Sequence, residues 1–164
     1  MFKEYFGLRW EFDHDEVDRI IEDYISHHKA GYVVSVDGTN MTHAYNNEAH
    51  RAILNNAIVN NCDSMWIPRM LNWIYKTNYK NYCGADLFIS YIKKAKFQQY
   101  FLGSNKKVLE GLRKNLMQYD PNIAKMHFEE LPFRKVEEFD YESIALMINK
   151  NRRSEERRVG KECR

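Results

Sequence analysis

Hydrophobic positions near the start of the chain alternate between helical and strand-like spacing. Apolar side chains recur at helical spacing over residues 17–25, with Asp13 or Asp15 as the N-cap. Gly31 interrupts this pattern, and the β-branched run at residues 32–36 predicts a buried strand. The chain is therefore expected to begin with a helix that leads into a strand.

A second pair of elements follows the same order. Asn46 or Asn47 is predicted to cap a helix that ends near Asn55, and residues 57–59 predict a short strand. A further helix is expected to begin near Pro68, because proline is tolerated in the first helical turn. The inward positions of the helix that ends near Asn55 are expected to be Ala49, Ala52 and Ile53.

The second half of the chain repeats the alternation. Residues 88–95 have the spacing of a helix face, and residues 98–102 predict a strand. A helix with an inner stripe over residues 108–116, a strand at residues 123–126 and a last helix capped by Asp140 follow. Strands and helices in this order predict an α/β fold, with a Rossmann-like, mostly parallel sheet and helices on both of its faces.

Charge is distributed unevenly along the chain. The net charge is +2, but residues 152–164 hold six basic and three acidic side chains, so the remaining body carries −1. That body has no basic character, and no nucleic-acid partner is expected. Residues 1–151 are predicted to form one α/β domain, and residues 152–164 a disordered tail. The tail resembles the translation of a sequencing adaptor and is interpreted as an artefact; a genuine basic tail that contacts anionic lipid or nucleic acid is the alternative.

Cysteines and acidic motifs give no indication of a metal site. Cys62, Cys83 and Cys163 leave one thiol unpaired in any disulfide scheme, which is typical of a reducing compartment. Asp13-His14-Asp15 resembles a metal-binding Asp-x-Asp motif, but it opens a helix, which favours a capping role. The apolar runs are too short to span a membrane, and the start lacks a signal-peptide core. We therefore expect a cytoplasmic protein without a metal or cofactor.

Polar residues gather where the predicted strands end. In a parallel sheet, ligands bind beyond the carboxyl ends of the strands, where the following loops converge. Asp63 is a carboxylate at such a strand end and is the predicted catalytic residue. The loop at residues 103–105 leads directly into a helix, whose N-terminus could hold a phosphate. The three loops contain Ser35, Asp37, Gly38, Thr39 and Asn40; Cys62, Asp63 and Ser64; and Gly103, Ser104 and Asn105.

Each of these features also has an ordinary structural explanation. Gly103 could be no more than a turn before a helix. Asp37 could form a turn in which its side chain bonds the backbone of Thr39. Asp63 could cap the helix that contains Pro68. The residues alone leave these alternatives open.

Six motifs in order resemble one bacterial enzyme family over residues 15–151. They are Val33-Val-Ser-Val-Asp, Glu48-Ala-His-Arg-Ala-Ile-Leu-Asn-Asn-Ala, Asp63 in place of a Pro-Asp-Gly, Cys83-Gly-Ala-Asp-Leu-Phe, Tyr100-Phe-Leu-Gly-Ser and Ile148-Asn149. This series is similar to that of the WecG/TagA/CpsF family, glycosyltransferase family 26. Within it, Gly84 and Asp86 match the Gly-x-Asp-Leu motif, which adds them to the expected substrate-binding residues.

The resemblance implies an inverting glycosyltransferase. Members move a sugar, often N-acetylmannosamine, from a UDP-sugar to a polyprenyl-diphosphate-linked acceptor at the inner membrane face, and Asp63 matches their proposed base. A full-length form is then expected to be cytoplasmic and peripheral to the membrane, and to form homo-oligomers in some cases. The implied role is in synthesis of cell-surface polysaccharide or teichoic acid.

The chain also departs from the family pattern. Ser35 stands where a Thr is usual, Asp37 where an Asn is usual, and Ser64 where a Gly follows the base; Asn81 stands where many members carry an Arg. After Asn149 the family's Gly-x-Pro-Lys-Gln-Glu segment and basic, membrane-binding appendage are missing. The domain is therefore expected to lack its C-terminal portion.

Two other classes of function remain possible from the sequence. A non-catalytic nucleotide- or sugar-binding domain would use the same loops, with Asp63 only as a hydrogen-bond acceptor. An interaction module would instead use the aromatic segment at residues 66–82 as a partner surface, although such aromatics more often pack in cores and loops.

Overall fold

The chain folds into helices and short strands that group into two compact units. The computed structural model describes residues 2–131 and 133–159, with backbone alone at residues 136 and 151–159. The units are Met1–Ser90 and Tyr91–Arg164.

The elements follow one another in the predicted helix–strand alternation, after an N-terminal hairpin that was not predicted. In the first unit they are β1 (Lys3–Tyr5), β2 (Leu8–Trp10), α1 (His14–Ser26), β3 (Val33–Val36), α2 (Gly38–Asn46), α3 (Glu48–Asn55), β4 (Val59–Cys62), α4 (Trp66–Tyr75) and the start of α5 (Gly84–Lys94). In the second unit they are the end of α5, β5 (Tyr100–Leu102), α6 (Lys106–Leu116), β6 (His127–Glu129) and α7 (Tyr141–Val159).

Three strands of the first unit end at the same edge. β3 and β4 pair in parallel, from Val33 opposite Val59 to Val36 opposite Cys62. β1 and β2 form an antiparallel hairpin, and Glu11, directly after β2, forms a parallel bridge with Asn61. The Glu11 N–H donates to the carbonyl oxygen of Asn60 at 3.0 Å. The carboxyl ends of β2, β3 and β4 therefore point the same way.

A tight turn makes the hairpin possible. Phe6 and Gly7, which join β1 to β2, both have positive φ angles, of 57° and 71°. Two-residue hairpin turns favour this conformation, and glycine adopts it without strain. Gly7 was the one local signal for the hairpin.

Helices cover both faces of the β3–β4 pair, as predicted. Side chains alternate between the two faces of a strand, so residues two apart share a face. On one face Val59 packs with Val17 of α1 and with Tyr82. On the other face Val36 and Cys62 are buried with side chains of α2, α3 and α4, among them Ala44, Leu54, Ile67 and Leu71.

The predicted inner face of α3 is wrong. Ala49, Ala52 and Ile53 are exposed, Ile53 to 56%, whereas Leu54 is 2% exposed. Helix α3 lasts eight residues, so one inward leucine is enough to attach it to the core. Short-range periodicity could not select that face, because apolar residues occupy both sides of the helix.

In the second unit β5 and β6 pair in parallel, from Tyr100 opposite His127 to Leu102 opposite Glu129. The predicted strand at residues 123–126 is wrong, because residues 121–125 form a 3-10 turn and β6 begins at His127. The Asp120 side chain accepts from the Asn122 N–H at 2.9 Å, and Pro121 lies in the first turn. A side-chain cap followed by proline starts helical turns rather than strands.

The α/β class and the parallel pairing are confirmed, while the strands that the structure describes form three two-stranded ladders. Asp140 caps α7 as predicted, accepting from the Ser143 N–H at 3.0 Å. The backbone of α7 continues to Val159. Residues 160–164 lie outside the described residues. The division between a domain and an artefactual tail at residue 151 stays a prediction.

Candidate functional site

Asp63 lies directly after β4, with its carboxylate at the start of α5. Its backbone N–H donates to the carbonyl oxygen of Val36 at 3.0 Å, which extends the β3–β4 pairing by one residue. Its Oδ1 accepts a 2.6 Å hydrogen bond from the N–H of Gly84, the first residue of α5. The first N–H groups of a helix have no partner within the helix, and they favour a negative charge nearby. One oxygen of the predicted catalytic carboxylate is thus held in place.

The alternative that Asp63 caps the helix containing Pro68 is wrong. The oxygen acceptor at the start of α4 is the hydroxyl of Ser64, 3.2 Å from the Trp66 nitrogen and 3.4 Å from the Ile67 nitrogen. Ser64, expected to bind substrate, is therefore engaged with the backbone of α4. The Asp63 side chain bonds the first residue of α5 instead.

A buried asparagine fixes the segment that leads to Gly84. Asn61 is fully buried, and its Nδ2 donates to the Tyr82 carbonyl at 2.6 Å. The Tyr82 N–H donates in turn to the Cys62 carbonyl at 2.8 Å. These two bonds hold residue 82 beside β4. Gly84, whose N–H bonds Asp63, follows two residues later. Sequence reasoning missed Asn61, although an amide within a buried strand is a signal of a specific partner.

Ser35, Asp63 and Gly84 meet at this edge. The Ser35 hydroxyl lies 2.9 Å from Nδ2 and 3.1 Å from Oδ1 of Asn61. A Cβ atom at Gly84 would lie 3.0 Å from the Ser35 hydroxyl oxygen and 3.7 Å from Asp63 Oδ1. A side chain at position 84 would crowd the Ser35 hydroxyl, so glycine eases the close approach of α5 to that residue. These three predicted site residues are brought together.

Asp37 begins a helix instead of forming a loop. Its Oδ1 accepts from the backbone N–H of Asn40 at 2.7 Å and from the Asn40 side chain at 3.0 Å. These bonds, the backbone one foremost, hold the pKa of the Asp37 carboxyl below its usual value. Gly38, Thr39 and Asn40 are the first turn of α2. A backbone hydrogen bond from Thr39 also contributes to the lower pKa of Asp37, so the predicted contact with Thr39 occurs within this N-cap.

The two described cysteines differ in their surroundings. Burial raises the pKa of the fully buried Cys62 thiol to about 12, so the thiol stays protonated at neutral pH. The Cys83 thiol donates to Asp86 Oδ2 at 3.0 Å, and this bond raises its pKa. Asp86, expected to contact substrate, lies in the first turn of α5 and bonds Cys83 across that turn.

The Asp13-His14-Asp15 motif has a capping role, as predicted. Asp13 accepts from the backbone N–H groups of Asp15 and Glu16 and caps α1. The His14 ring lies 2.9 Å from the Asn81 carbonyl and stacks on Tyr82 at a centroid distance of 4.1 Å. Within residues 2–131 and 133–159 there is no group of three or more His, Cys, Asp or Glu side chains that could hold a metal ion.

In the second unit, the loop at residues 103–105 opens into a cavity of about 820 Å³. Gly103 and Ser104 have positive φ angles, and the Asn105 side chain caps α6 by accepting from the Val108 N–H at 3.1 Å. Arg134 contributes a positive charge to the cavity, and Phe133 is fully exposed. The other lining residues are Glu130, Leu131 and Phe139.

A family model described as "Glycosyl transferase WecG/TagA/CpsF family" matches residues 6–154. The chain belongs to this family. Its members transfer a sugar from a donor to an acceptor, so the protein is a glycosyltransferase with a general role in polysaccharide or cell-wall synthesis. A comparison with curated proteins gave no match. No helix in the described part of the chain combines the length and apolarity needed to cross a membrane.

Proposed function

We propose that the protein is an inverting glycosyltransferase that uses Asp63 as its base. It moves a hexose, such as N-acetylmannosamine, from a UDP-sugar to a polyprenyl-diphosphate-linked acceptor in the synthesis of cell-surface polysaccharide or teichoic acid. In a full-length form it acts in the cytoplasm, peripheral to the inner membrane face. No metal or cofactor takes part.

The two oxygens of Asp63 support the role of base. Oδ1 is occupied by the Gly84 N–H at 2.6 Å, and among the described residues Oδ2 has no hydrogen-bond or ion-pair partner. A carboxylate held by one oxygen can present the other to an acceptor hydroxyl in a fixed direction. This asymmetry is the observation on which the proposal rests.

The proposed reaction is a single displacement. Asp63 Oδ2 takes the proton of the acceptor hydroxyl while that oxygen bonds to the anomeric carbon of the donor. The bond from the anomeric carbon to the diphosphate oxygen breaks, and UDP leaves with the bonding electrons. Attack opposite the leaving group inverts the anomeric configuration. General-base assistance of this type is worth about 10²–10⁴-fold in rate.

Within the second unit, the cavity beside residues 103–105 is our candidate for binding a phosphate group. Arg134 lines that cavity, and the N-terminus of α6 follows Asn105 directly. Arginine and helix N-termini both stabilise phosphate oxygens. In this proposal Gly103, Ser104 and Asn105 contact the donor phosphates. Thr39, Asn40 and Ser64 are assigned to substrate because they lie in the loops that follow the predicted strands, and Asp86 because it matches the family motif.

Product analysis tests the function. The protein is incubated with UDP-N-acetylmannosamine and a polyprenyl-diphosphate-linked sugar. We expect UDP release together with a new glycosidic bond whose anomeric configuration, read by NMR, is opposite to that of the donor. Retention of configuration would contradict the single displacement. Tight UDP binding without any transfer would instead favour a non-catalytic nucleotide-binding domain.

A further inference from the structure

Helix α4 is apolar on two opposite sides, and only one of them is buried. Ile67, Pro68 and Leu71 face the core. Trp66, Arg69, Met70 and Trp73, which we call the α4 outer face, recur at i, i+3, i+4 and i+7 on the other side. Trp66 and Trp73 are 73% and 76% exposed. A surface helix normally turns charged and polar side chains to solvent, so this outer face calls for a partner.

Apolar side chains extend this surface at both ends of the helix. Met65 is 57% exposed just before α4, and Ile74 is 49% exposed near its end. Single exposed hydrophobic residues are common, but two tryptophans, two methionines and an isoleucine on one ten-residue helix and its flank are not scattered.

The stretch of chain that contains α4, between Asp63 and Asp86, carries only positive charges. Residues 64–85 contain Arg69, Lys76 and Lys80 and no Asp or Glu. The Arg69 guanidinium lies over the Trp66 ring, with its carbon 5.2 Å from the ring centroid. This stretch carries +3 within a body, residues 1–151, whose net charge is −1. The occupant of the outer face should therefore be anionic.

The charge pattern argues against a second copy of the chain. A two-fold contact would place the outer face against itself, because such interfaces use the same patch on both subunits. Arg69 of one copy would then lie near Arg69 of the other, and the outer face has no carboxylate to offset them. An anionic phospholipid surface offers both phosphate groups for the cations and an apolar layer for the indole rings.

We propose that the α4 outer face inserts into the headgroup layer of an anionic phospholipid bilayer. Trp66, Met70 and Trp73 lie at the boundary with the acyl chains, and Arg69 contacts lipid phosphates. Amphipathic helices with aromatic residues and cations bind membranes in this way, parallel to the surface. Contact with the membrane would bring the enzyme to its lipid-linked acceptor, and in this respect the inference rests on the proposed function. Vesicle binding and sugar transfer are separate measurements, so either proposal can fail alone.

Tryptophan fluorescence tests the contact on the intact chain. The protein has three tryptophans, and the third, Trp10, is fully buried. Vesicles of phosphatidylglycerol and phosphatidylcholine should shift the emission to shorter wavelength, and brominated acyl chains should quench it. In the Trp66→Phe, Trp73→Phe double variant only Trp10 remains, and neither effect should appear.

Substitutions separate the apolar and electrostatic contributions. In vesicle sedimentation, Trp66→Ala with Trp73→Ala should abolish binding, whereas Tyr45→Ala, at a residue 71% exposed on α2, should leave it unchanged. Arg69→Gln should weaken binding to the mixed anionic vesicles about fivefold and leave the weak affinity for pure phosphatidylcholine unchanged.

Three outcomes would overturn the proposal. The first is no binding to the anionic vesicles. The second is equal binding to phosphatidylcholine alone, since the argument depends on charge. The third is a spectral shift that grows with protein concentration without lipid, because the outer face would then be a contact between copies.

Discussion

Replacing Asn61 by leucine should reduce both stability and catalysis, for separable reasons. Its Nδ2 is bonded to the Tyr82 carbonyl at 2.6 Å and to the Ser35 hydroxyl at 2.9 Å, in a fully buried position. Leucine has a similar size but no donor, so both groups lose their partner. We expect residues 82–84 to move away from β4 and the Gly84 N–H to lose its position at Asp63.

The magnitude follows from two unpaired groups. Each buried polar group without a partner costs about 1–3 kcal/mol. The apolar leucine regains about 1.5–3 kcal/mol through burial. Mid-range values of these terms leave a net loss, so the free energy of unfolding, measured with urea on the chain, should fall by about 2 kcal/mol. Misplacing the carboxylate by about 1 Å should lower kcat by about 10–100-fold in a full-length form.

Asn60→Leu is the matched control. Asn60 is 1% exposed on the same strand, and its Nδ2 donates to the carbonyls of Arg9 and Leu54, both at 2.9 Å. It faces the opposite side of β4, away from residues 82–84. Its substitution should lower stability by a comparable amount and change kcat less than about threefold. If Asn61→Leu retains wild-type kcat, or if Asn60→Leu loses as much, Asn61 does not position Asp63.

Two further predictions concern stability. Leu71→Ala should lower the free energy of unfolding by about 2–5 kcal/mol because Leu71 is fully buried. Trp73→Ala on the same helix should change it by less than about 0.5 kcal/mol, because Trp73 is exposed. Equal effects in urea titrations would contradict the assigned faces of α4. The pKa of Asp37 is lowered in the folded protein, so its ionised form stabilises the fold above the usual pKa of about 3.9, and that contribution disappears as the pH falls through the lower folded value. Asp37→Asn should therefore be less stable than wild type at pH 7 and approach it in acid, and a stability difference independent of pH would refute the assignment.

Local signals predicted the helix starts. Asp13, Asn47, Asn105 and Asp140 were expected at or before helix starts, and each accepts hydrogen bonds from the first turn of its helix. A cap is a contact between residues two or three apart, so the sequence contains all of it. The strand at residues 33–36 was also predicted from a local signal, because a run of β-branched residues favours a strand.

Elements that depend on distant partners were missed. Helix α2 was expected to be a loop, because Gly38-Thr39-Asn40 is typical of turns and only the Asp37 cap favours a helix. Strand β4 was expected to end at Val59, yet it includes Asn60 and Asn61. Those amides fit within a strand only because carbonyls of β2, α3 and residue 82 accept their hydrogen bonds.

The candidate site was likewise predicted in part, where the signals are local, and missed where it depends on distant residues. Its location at a strand end followed from the order of strands and helices, and so did the choice of Asp63. The meeting of Gly84 with Asp63 joins residues 21 apart; the family motif predicted Gly84 as a site residue but not this contact. An amide within a buried strand signals that Asn61 has a partner, but which partner depends on that same return of the chain.

The central claim is that Asp63 removes the proton from the acceptor. Asp63→Asn retains an oxygen for the Gly84 N–H but cannot accept that proton, so the most direct test is its rate of transfer from a UDP-sugar to the lipid-linked acceptor in a full-length form. We predict a loss of about 10²–10⁴-fold with unchanged UDP affinity, while Asp23→Asn, at an exposed side chain of α1, keeps the wild-type rate. Transfer by Asp63→Asn at the wild-type rate would contradict the assignment of Asp63 as the base.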